Sequence, residues 1–274
     1  MLKTLLGEQF RSTSHVLAAV AGVVLLVAAV SLVPAMAGTG GLGSLGLVLA
    51  SVLVACLTPI VGVLLAWDYW QTMYGRRGYF TMTLPVRGRE LFAAKVLHAL
   101  IATAVAAVVT LGGVAACLLA RGRMARMPLG DAWSAVTGAV GDAPAGVLAG
   151  FGAILAIQLV VAVIQVAAVL SISAESRFQG IGWGAPLVGL VLLYLVDQVV
   201  SLIGMLWIPL GIRLSGPQAG DLVARGMWPD VVEALRTGAD PTVIGLGSVA
   251  TGAALTVALA WWAVRSIERR TSLR

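Results

Sequence analysis

A solitary carboxylate lies in the middle of a long apolar stretch of the sequence. It shares one helical face with three other polar residues, at spacings i, i+3, i+4 and i+7: Tyr194, Asp197, Gln198 and Ser201. An ionisable side chain at membrane depth costs at least about 2.5–3.5 kcal/mol, so Asp197 requires a partner or an aqueous surface. In the preceding apolar stretch, Gln158 and Gln165 also share a face. Two interpretations stay open: a polar wall along a substrate path or dimer seam, and hydrogen bonds between helices.

Residue sets arranged for catalysis or metal binding do not stand out in the sequence. Polytopic enzymes that act on lipid or peptide need paired carboxylates, an HExxH motif, or a Ser/His or Ser/Lys set, whereas here Asp197 is solitary. His15 and His98 have no Cys or carboxylate cluster at metal-ligand spacing. We therefore predict no catalytic residues, no metal site and no cofactor bound by this chain.

The composition indicates the class of protein to which these residues belong. The chain has 274 residues, of which 59% are hydrophobic and 11% charged, and its mean hydropathy is +0.99, as in integral membrane proteins. A bilayer core needs roughly 20 apolar residues per crossing helix. Six predominantly apolar runs suit this length, at approximately 16–36, 45–67, 92–120, 144–173, 181–206 and 242–264. The sequence therefore predicts an all-α polytopic membrane protein that forms one domain over residues 1–274.

The N-terminal stretch admits two interpretations. Apolar residues recur at helical spacing ahead of the first run and predict a short helix at the cytoplasmic interface over residues 2–12: Leu2, Leu5, Leu6 and Phe10. The alternative is a cleaved signal peptide, because Ala35-Met36-Ala37 resembles a signal-peptidase site. We favour a retained first helix, since its uncharged run of roughly 18 residues exceeds the usual signal-peptide core and a second apolar run follows closely.

The basic residues indicate how the chain is oriented. With both termini in the cytoplasm, 12 of the 18 Lys and Arg residues fall in cytoplasmic segments, including residues 71–90. The other six lie in segments predicted to face outward, 121–142 and 208–240, and the RGRMAR cluster at 121–126 is the main exception to the rule. The net charge of +6 is thus explained by membrane topology, so no nucleic-acid partner is predicted.

The segment ahead of the last run is too long to be a simple turn. Residues 207–241 include the stretch MWPDVVEALRTGADP, in which Val231, Val232 and Leu235 mark one apolar face. This pattern predicts a short amphipathic helix with proline and glycine nearby. We therefore expect an outer excursion before the last span.

A second long segment, between the second and third runs, concentrates polarity: GYFTMTLPVRGRELFAAK, residues 78–95. Thr83 can cap a helix whose first turn contains Pro85, a position where the missing N–H of proline costs nothing. Leu91 then continues an apolar face into the third span. A solvated loop does not require the apolar residues of this segment, whereas a docking helix does. The alternative is an ordinary interfacial loop rich in cations.

This segment resembles the one between the second and third spans of type-2 ABC transporter permeases, where a pattern of the form tlPvsR…l…gK is usual. Ala94 stands where glycine often precedes the lysine. The positions that match the pattern are Thr83, Leu84, Pro85, Arg89 and Lys95. The family has six spans, cytoplasmic termini, an interfacial N-terminal helix, a cytoplasmic coupling helix and an outer excursion before the last span. The resemblance therefore extends over nearly the whole chain.

The resemblance implies a non-catalytic membrane subunit that forms a homodimer or heterodimer, encloses the substrate path and exports substrate across the cytoplasmic (inner) membrane. A separate ATPase subunit would bind ATP and Mg²⁺, in agreement with the absence of a G-x-x-x-x-G-K-[ST] loop from the sequence. The residues implied in docking that subunit are Tyr79, Phe80, Leu84, Pro85, Arg87, Arg89, Glu90 and Leu91. Two other functions stay as alternatives: a polytopic enzyme acting on lipid or peptide, and an ion-coupled carrier.

Overall fold

A computed structural model describes residues 2–75, 78, 87–141, 145–175, 178, 184–213, 221–238 and 240–269. In these residues the helices are α1 (Leu2–Met36), α2 (Gly40–Met73), α3 (Gly88–Met124), α4 (Leu129–Gly141), α5 (Ala145–Ser173), α6 (Gly184–Trp207), α7 (Trp228–Thr237) and α8 (Gly247–Arg269). The strands are β1 (Gly211–Arg213), β2 (Leu222–Val223) and β3 (Val243–Gly245).

Six of the described helices are long and apolar enough to cross a membrane: α1, α2, α3, α5, α6 and α8. Their most apolar windows have mean hydropathies between 1.5 and 2.9. Many large apolar side chains on these helices are exposed, among them Val23, Leu45 and Val108. A hydrocarbon environment suits both this outward apolar surface and the internally paired backbone of a helix. The predicted multi-pass helical class is confirmed, while the side on which the termini lie stays a prediction.

The predicted boundary between an N-terminal helix over residues 2–12 and the first span is wrong. α1 is helical throughout, from Leu2 to Met36. No glycine or proline interrupts residues 8–16, and the hydroxyls of Ser12 and Thr13 donate to the Gln9 carbonyl at 3.1 and 2.8 Å, within the helix. Because nothing local breaks the helix, the two predicted elements form one.

The excursion before the last span has more structure than the sequence predicts. Its amphipathic helix is confirmed as α7, with proline in the first turn and Gly238 at the end with φ of 72°. The strands form an antiparallel sheet in the order β2-β1-β3, which the sequence does not predict. Since Val243–Gly245 is extended and pairs with β1, the last helix begins at Gly247, and the predicted start of this span at residue 242 is wrong.

Asp230 connects α7 to β3. Its carboxylate is buried, and its Oδ2 accepts hydrogen bonds from the hydroxyl of Thr242 at 2.6 Å, the amide of Thr242 at 2.8 Å and the amide of Val243 at 3.0 Å. Its Oδ1 lies 2.9 Å from the guanidinium of Arg225. A buried carboxylate is tolerated when it is paired and hydrogen-bonded in this way. Asp230 therefore holds the helix and the sheet of the excursion together.

A helix that the sequence does not predict follows the third span. α3 continues to Met124, beyond the predicted end at residue 120, because arginine is a good helix former and is favourable in a last turn. α4 then occupies most of the segment 121–142, for which the sequence predicts no secondary-structure element.

Close contacts divide the chain into two compact units, Met1–Val86 with Glu90–Ala149, and Arg87–Arg89 with Gly150–Arg274. In the first unit, a Cβ at Gly113 would lie 2.8 Å from Cγ1 of Val54, so the absence of a side chain lets α2 and α3 approach. In the second unit, a Cβ at Gly247 would overlap the carbonyl oxygen of Gly204, so α6 and α8 meet through backbone. The single domain predicted from the sequence stays a prediction.

Candidate functional site

Polar side chains on three helices of the first unit meet in one place. Asp68 and Thr72 are four residues apart on α2, and Lys95 and His98 are three apart on α3, so each pair shares a helix face. Thr13 on α1 joins them. We call these five residues the polar cluster. Asp68 and Thr72 lie near the C-terminal end of α2, and Lys95 and His98 lie near the N-terminal end of α3.

Lys95 is the charged centre of the polar cluster. It is only 5% exposed, and its ammonium donates to the Thr72 hydroxyl oxygen at 2.7 Å and lies 3.6 Å from the Asp68 carboxylate, which is 27% exposed. Thr72 in turn donates to the Asp68 carbonyl, so the three groups form a chain of hydrogen bonds. A buried ammonium requires such partners, because desolvation without them is costly. The ion pair therefore fastens the end of α2 to the start of α3.

His98 extends the cluster to α1. The ring is buried, and its Nε2 lies 3.0 Å from the Thr13 hydroxyl oxygen. Since that hydroxyl already donates to the Gln9 carbonyl, its oxygen accepts here, which assigns the proton to Nε2 of His98. The edge of Phe10 meets the same ring, with centroids 4.6 Å apart and planes at 76°. Side-chain contacts of the polar cluster thus join α1 and α2 to the N-terminal part of α3.

The contacts of the polar cluster orient helices. The hydroxyl groups of Thr13 and Thr72 donate to backbone carbonyls of their own helices and lie beside the imidazole and the ammonium of α3. Across the part of the chain that the structure describes, no three of His, Cys, Asp and Glu come close enough to hold a metal ion. The arrangement can transmit a displacement of one helix to the other two.

The predicted docking residues flank the polar cluster in sequence. Tyr79, Phe80, Leu84 and Pro85 lie outside the described residues. Arg87 and Arg89 are exposed and Glu90 is partly exposed at the start of α3, as a surface available to a partner requires. Leu91 is buried, so its side chain packs inside the chain, and its docking role stays a prediction.

The intramembrane polar residues lie in the second unit, where the structure brings one pair of them together. The amide of Gln165 on α5 is buried and donates to Oδ1 of Asp197 on α6 at 3.4 Å, a long hydrogen bond. Gln158, Tyr194 and Gln198 are exposed on the single chain, and Ser201 is partly exposed. The pair is the kind of contact expected for hydrogen bonding between helices, and the exposed residues leave the path and dimer-seam interpretations open.

Asp197→Leu should lower stability by about 1 kcal/mol, because the buried amide of Gln165 loses its acceptor. Asp197→Asn keeps an acceptor oxygen and should cost less. Thermal unfolding of the purified chain in detergent would measure both, with Gln158→Leu as a control on the exposed part of the same face. A fully stable Asp197→Leu variant would contradict the structural role of this pair.

A further buried carboxylate escapes sequence reasoning. Glu175 follows α5 and is buried, and the indole Nε1 of Trp262 on α8 donates to its Oε1 at 3.0 Å. In the sequence, Trp262 lies within the last apolar run, and nothing in its spacing indicates Glu175 as its partner. One turn further along α8, the Ser266 hydroxyl lies 3.4 Å from the Ser171 carbonyl. α5 and α8 are therefore joined by polar contacts at their ends.

The polar cluster also escapes sequence reasoning, although a signal for it exists. The apolar runs break at Asp68 and resume close to Lys95, and each of these residues has a polar neighbour at helical spacing. Fold and site together define a multi-pass membrane protein whose first three spans are fastened by buried polar contacts. Comparison of the chain with family models, with curated proteins and with solved structures finds no match.

Proposed function

We propose that this chain is the membrane subunit of an ATP-driven exporter, which dimerises, encloses the substrate path and is driven by a separate ATPase. The observation that carries the proposal is the polar cluster, because it stiffens the two helix ends that flank the segment implied in docking. Arg87 and Arg89, at the end of that segment, are exposed. The segment itself supplies the family resemblance on which the choice of partner rests.

A docking segment is useful only if the helices attached to it move when it is pushed. Lys95 fastens α3 to α2 through Asp68 and Thr72, and His98 fastens α3 to Thr13 on α1. Force applied to residues 76–87 would therefore move three spans together instead of bending one helix. Closure of an ATPase is a source of such force, and the sequence has no phosphate-binding loop with which to generate it.

The docking prediction is that substitution of apolar residues in the segment weakens ATPase binding more than substitution of its exposed arginines. Phe80→Ala and Leu84→Ala should weaken binding of the ATPase by roughly 2 kcal/mol or more, as truncation of a buried anchor does. Arg87→Ala should cost only about 0–1 kcal/mol, because an exposed ion pair is screened by solvent. The tagged chain would be purified from its native membrane, and the co-purifying ATPase identified by mass spectrometry and measured with its ATP hydrolysis.

Leu235→Ala is the matched control, since Leu235 is a leucine exposed on α7, far from the segment in sequence. If Phe80→Ala and Leu84→Ala retain both the ATPase and substrate-stimulated hydrolysis, residues 79–86 are an ordinary interfacial loop and the proposal fails. Substrate uptake into inverted membrane vesicles provides an independent test. Uptake that requires an ion gradient and proceeds without ATP would favour the ion-coupled carrier instead.

A further inference from the structure

Three arginines surround the end of α3, on the segment that departs from the predicted charge distribution. Arg121 and Arg123 lie in the last turn of the helix, and Arg126 follows in the turn that leads to α4. Arg121 and Arg126 are exposed, and Arg123 is partly exposed. The sequence from 121 to 142 holds three arginines and two carboxylates, Asp131 and Asp142, so the segment carries a net positive charge. α3 is long and apolar enough to cross a membrane, and a crossing would place its terminal arginines at the headgroup layer.

Arg126 occupies a backbone conformation that normally favours glycine. Its φ is 61°, and the amides of Arg126 and Met127 donate to the carbonyls of Arg123 at 2.9 Å and Gly122 at 3.1 Å, which closes the helix in a Schellman motif. At the two other left-handed positions in the described chain, Gly38 and Gly238, the residue is glycine. The backbone conformation here favours glycine over arginine, so the presence of an arginine favours a role for its guanidinium outside the turn.

α4 folds back onto the end of α3 and presents an apolar face. Ala132 is buried against Gly122, where an added Cβ would lie 2.7 Å from the Cβ of Ala132. Leu129, Trp133 and Val136 are spaced i, i+4 and i+7 and share one face. Leu129 and Trp133 are 51% and 54% exposed, with no cover from the rest of the described chain. α4 starts at Leu129, shortly after α3 ends at Met124.

We propose that α4 lies in the membrane interface and that Arg121, Arg123 and Arg126 bind the phosphates of anionic lipid headgroups. The apolar face would enter the boundary between headgroups and acyl chains, as in other interfacial amphipathic helices. Guanidinium groups match phosphate oxygens by paired hydrogen bonds. The bilayer is the occupant that the geometry favours over a second protein, because the apolar and cationic surfaces adjoin the end of a helix that is long and apolar enough to cross a membrane.

Lipid binding also explains why a cationic cluster is compatible with a segment predicted to face outward. The positive-inside rule biases which loops cross the membrane, and other charges and spans can outweigh one cluster. Once in place, cations beside phosphate groups are compensated locally. The proposal is independent of the ATPase partner, since none of its residues belongs to the polar cluster or to the docking segment.

Retention of anionic lipid is the first test. The full chain would be placed in nanodiscs of phosphatidylcholine containing phosphatidylglycerol, and bound lipid counted by native mass spectrometry. Arg126→Gly and Arg121→Gln should each lower phosphatidylglycerol retention about five-fold and reduce its sensitivity to salt. Arg236→Gln, an exposed arginine in the last turn of α7, is the matched control and should leave retention unchanged.

Arg126→Gly has a second signature. Glycine relieves the left-handed position, so this variant should melt at the same temperature as the wild-type chain or higher while binding less anionic lipid. General damage to the fold would instead lower both the melting temperature and the retention of anionic lipid. Unchanged phosphatidylglycerol retention in Arg126→Gly and Arg121→Gln would overturn the proposal.

The depth of α4 is the second test. A spin label or fluorophore at Trp133→Cys, in a chain without Cys56 and Cys117, should be accessible to probes in the acyl region such as brominated lipid. The same label at Ser134→Cys, on the polar side of α4, should be accessible to water-soluble probes. If the label at position 133 is shielded from lipid and instead crosslinks to a second protein, α4 is a protein interface and the lipid proposal is wrong.

Discussion

Asp68→Leu should destabilise the chain by about 2–4 kcal/mol, because it leaves the buried ammonium of Lys95 without a counter-charge. Removing one partner of a fully buried pair costs about 3–5 kcal/mol. The smaller figure follows from the 27% exposure of Asp68, which lets water compensate part of the loss. The Thr72 hydroxyl stays as an acceptor for Lys95, at 2.7 Å, and a neutral acceptor cannot replace a charge.

A double-mutant cycle separates the ion pair from the packing around it. Asp68→Leu with Lys95→Met removes both charges and should recover most of the lost stability, since an apolar pair of similar volume often replaces a buried ion pair at little cost. Thermal unfolding in detergent gives the comparison, and Asp131→Leu, an exposed carboxylate on α4, is the control. Two results would show that the ion pair has no structural role. One is a melting temperature of Asp68→Leu equal to that of the wild-type chain, and the other is a double variant that is no more stable than Asp68→Leu alone.

The double variant, Asp68→Leu with Lys95→Met, also tests whether the polar cluster has a role in transport beyond its effect on stability. If the polar cluster transmits force as proposed, the double variant should keep its fold and still bind the proposed ATPase. It should nevertheless couple ATP hydrolysis to transport less tightly than the wild-type chain does. Packing of methionine against leucine permits sliding that a directed hydrogen bond resists. A double variant with normal stability and normal coupling would show that the cluster only packs the helices.

The six candidate spans could be predicted because a bilayer imposes a minimum length and an apolar composition on each helix that crosses it. Both properties can be read directly from the linear sequence. Errors arose at the ends. The run starting at residue 242 continues through Val243 and Ile244, whose apolar side chains serve a β-strand as well as a helix. The sequence does not predict α4, because its apolar face is short and its glycines and alanines give a weak periodic signal.

The polar cluster could not be predicted because it depends on which helix faces meet. The sequence places Asp68 and Thr72 on one face and Lys95 and His98 on another, and nothing in that spacing states that these faces adjoin. The same is true of Gln165 and Asp197, each of which signals a buried polar contact without naming its partner. Which helix faces contact each other depends on tertiary packing. A single sequence shows the polar face of each helix and does not show which other face it contacts.

Asp230→Ala should open the excursion between α6 and α8, because it removes the acceptor of three hydrogen bonds and the counter-charge of Arg225. The amides of Thr242 and Val243 would lose their partner, at about 1–3 kcal/mol for each buried donor left unsatisfied. Amide hydrogen exchange at these two residues should therefore accelerate by at least about ten-fold. Glu233→Ala, an exposed carboxylate on α7, is the control and should leave both amides protected.

Acid should reproduce the effect of this substitution in the wild-type protein. Burial by itself raises the pKa of the Asp230 carboxyl, but the hydrogen bonds from Thr242, the charge of Arg225 and the amide of Val243 together hold that pKa below its usual value. With a lower pKa in the folded state, the stabilisation is complete above the unfolded value of about 3.9 and is lost as pH falls through the folded value. Exchange at Thr242 and Val243, corrected for intrinsic rates, should thus stay slow from neutral pH to about 4 and accelerate below it. The same acceleration should be absent from Asp230→Ala, whose amides are already unprotected at neutral pH. An acid response of equal size in Asp230→Ala would assign the transition to another group and contradict the role of this carboxylate.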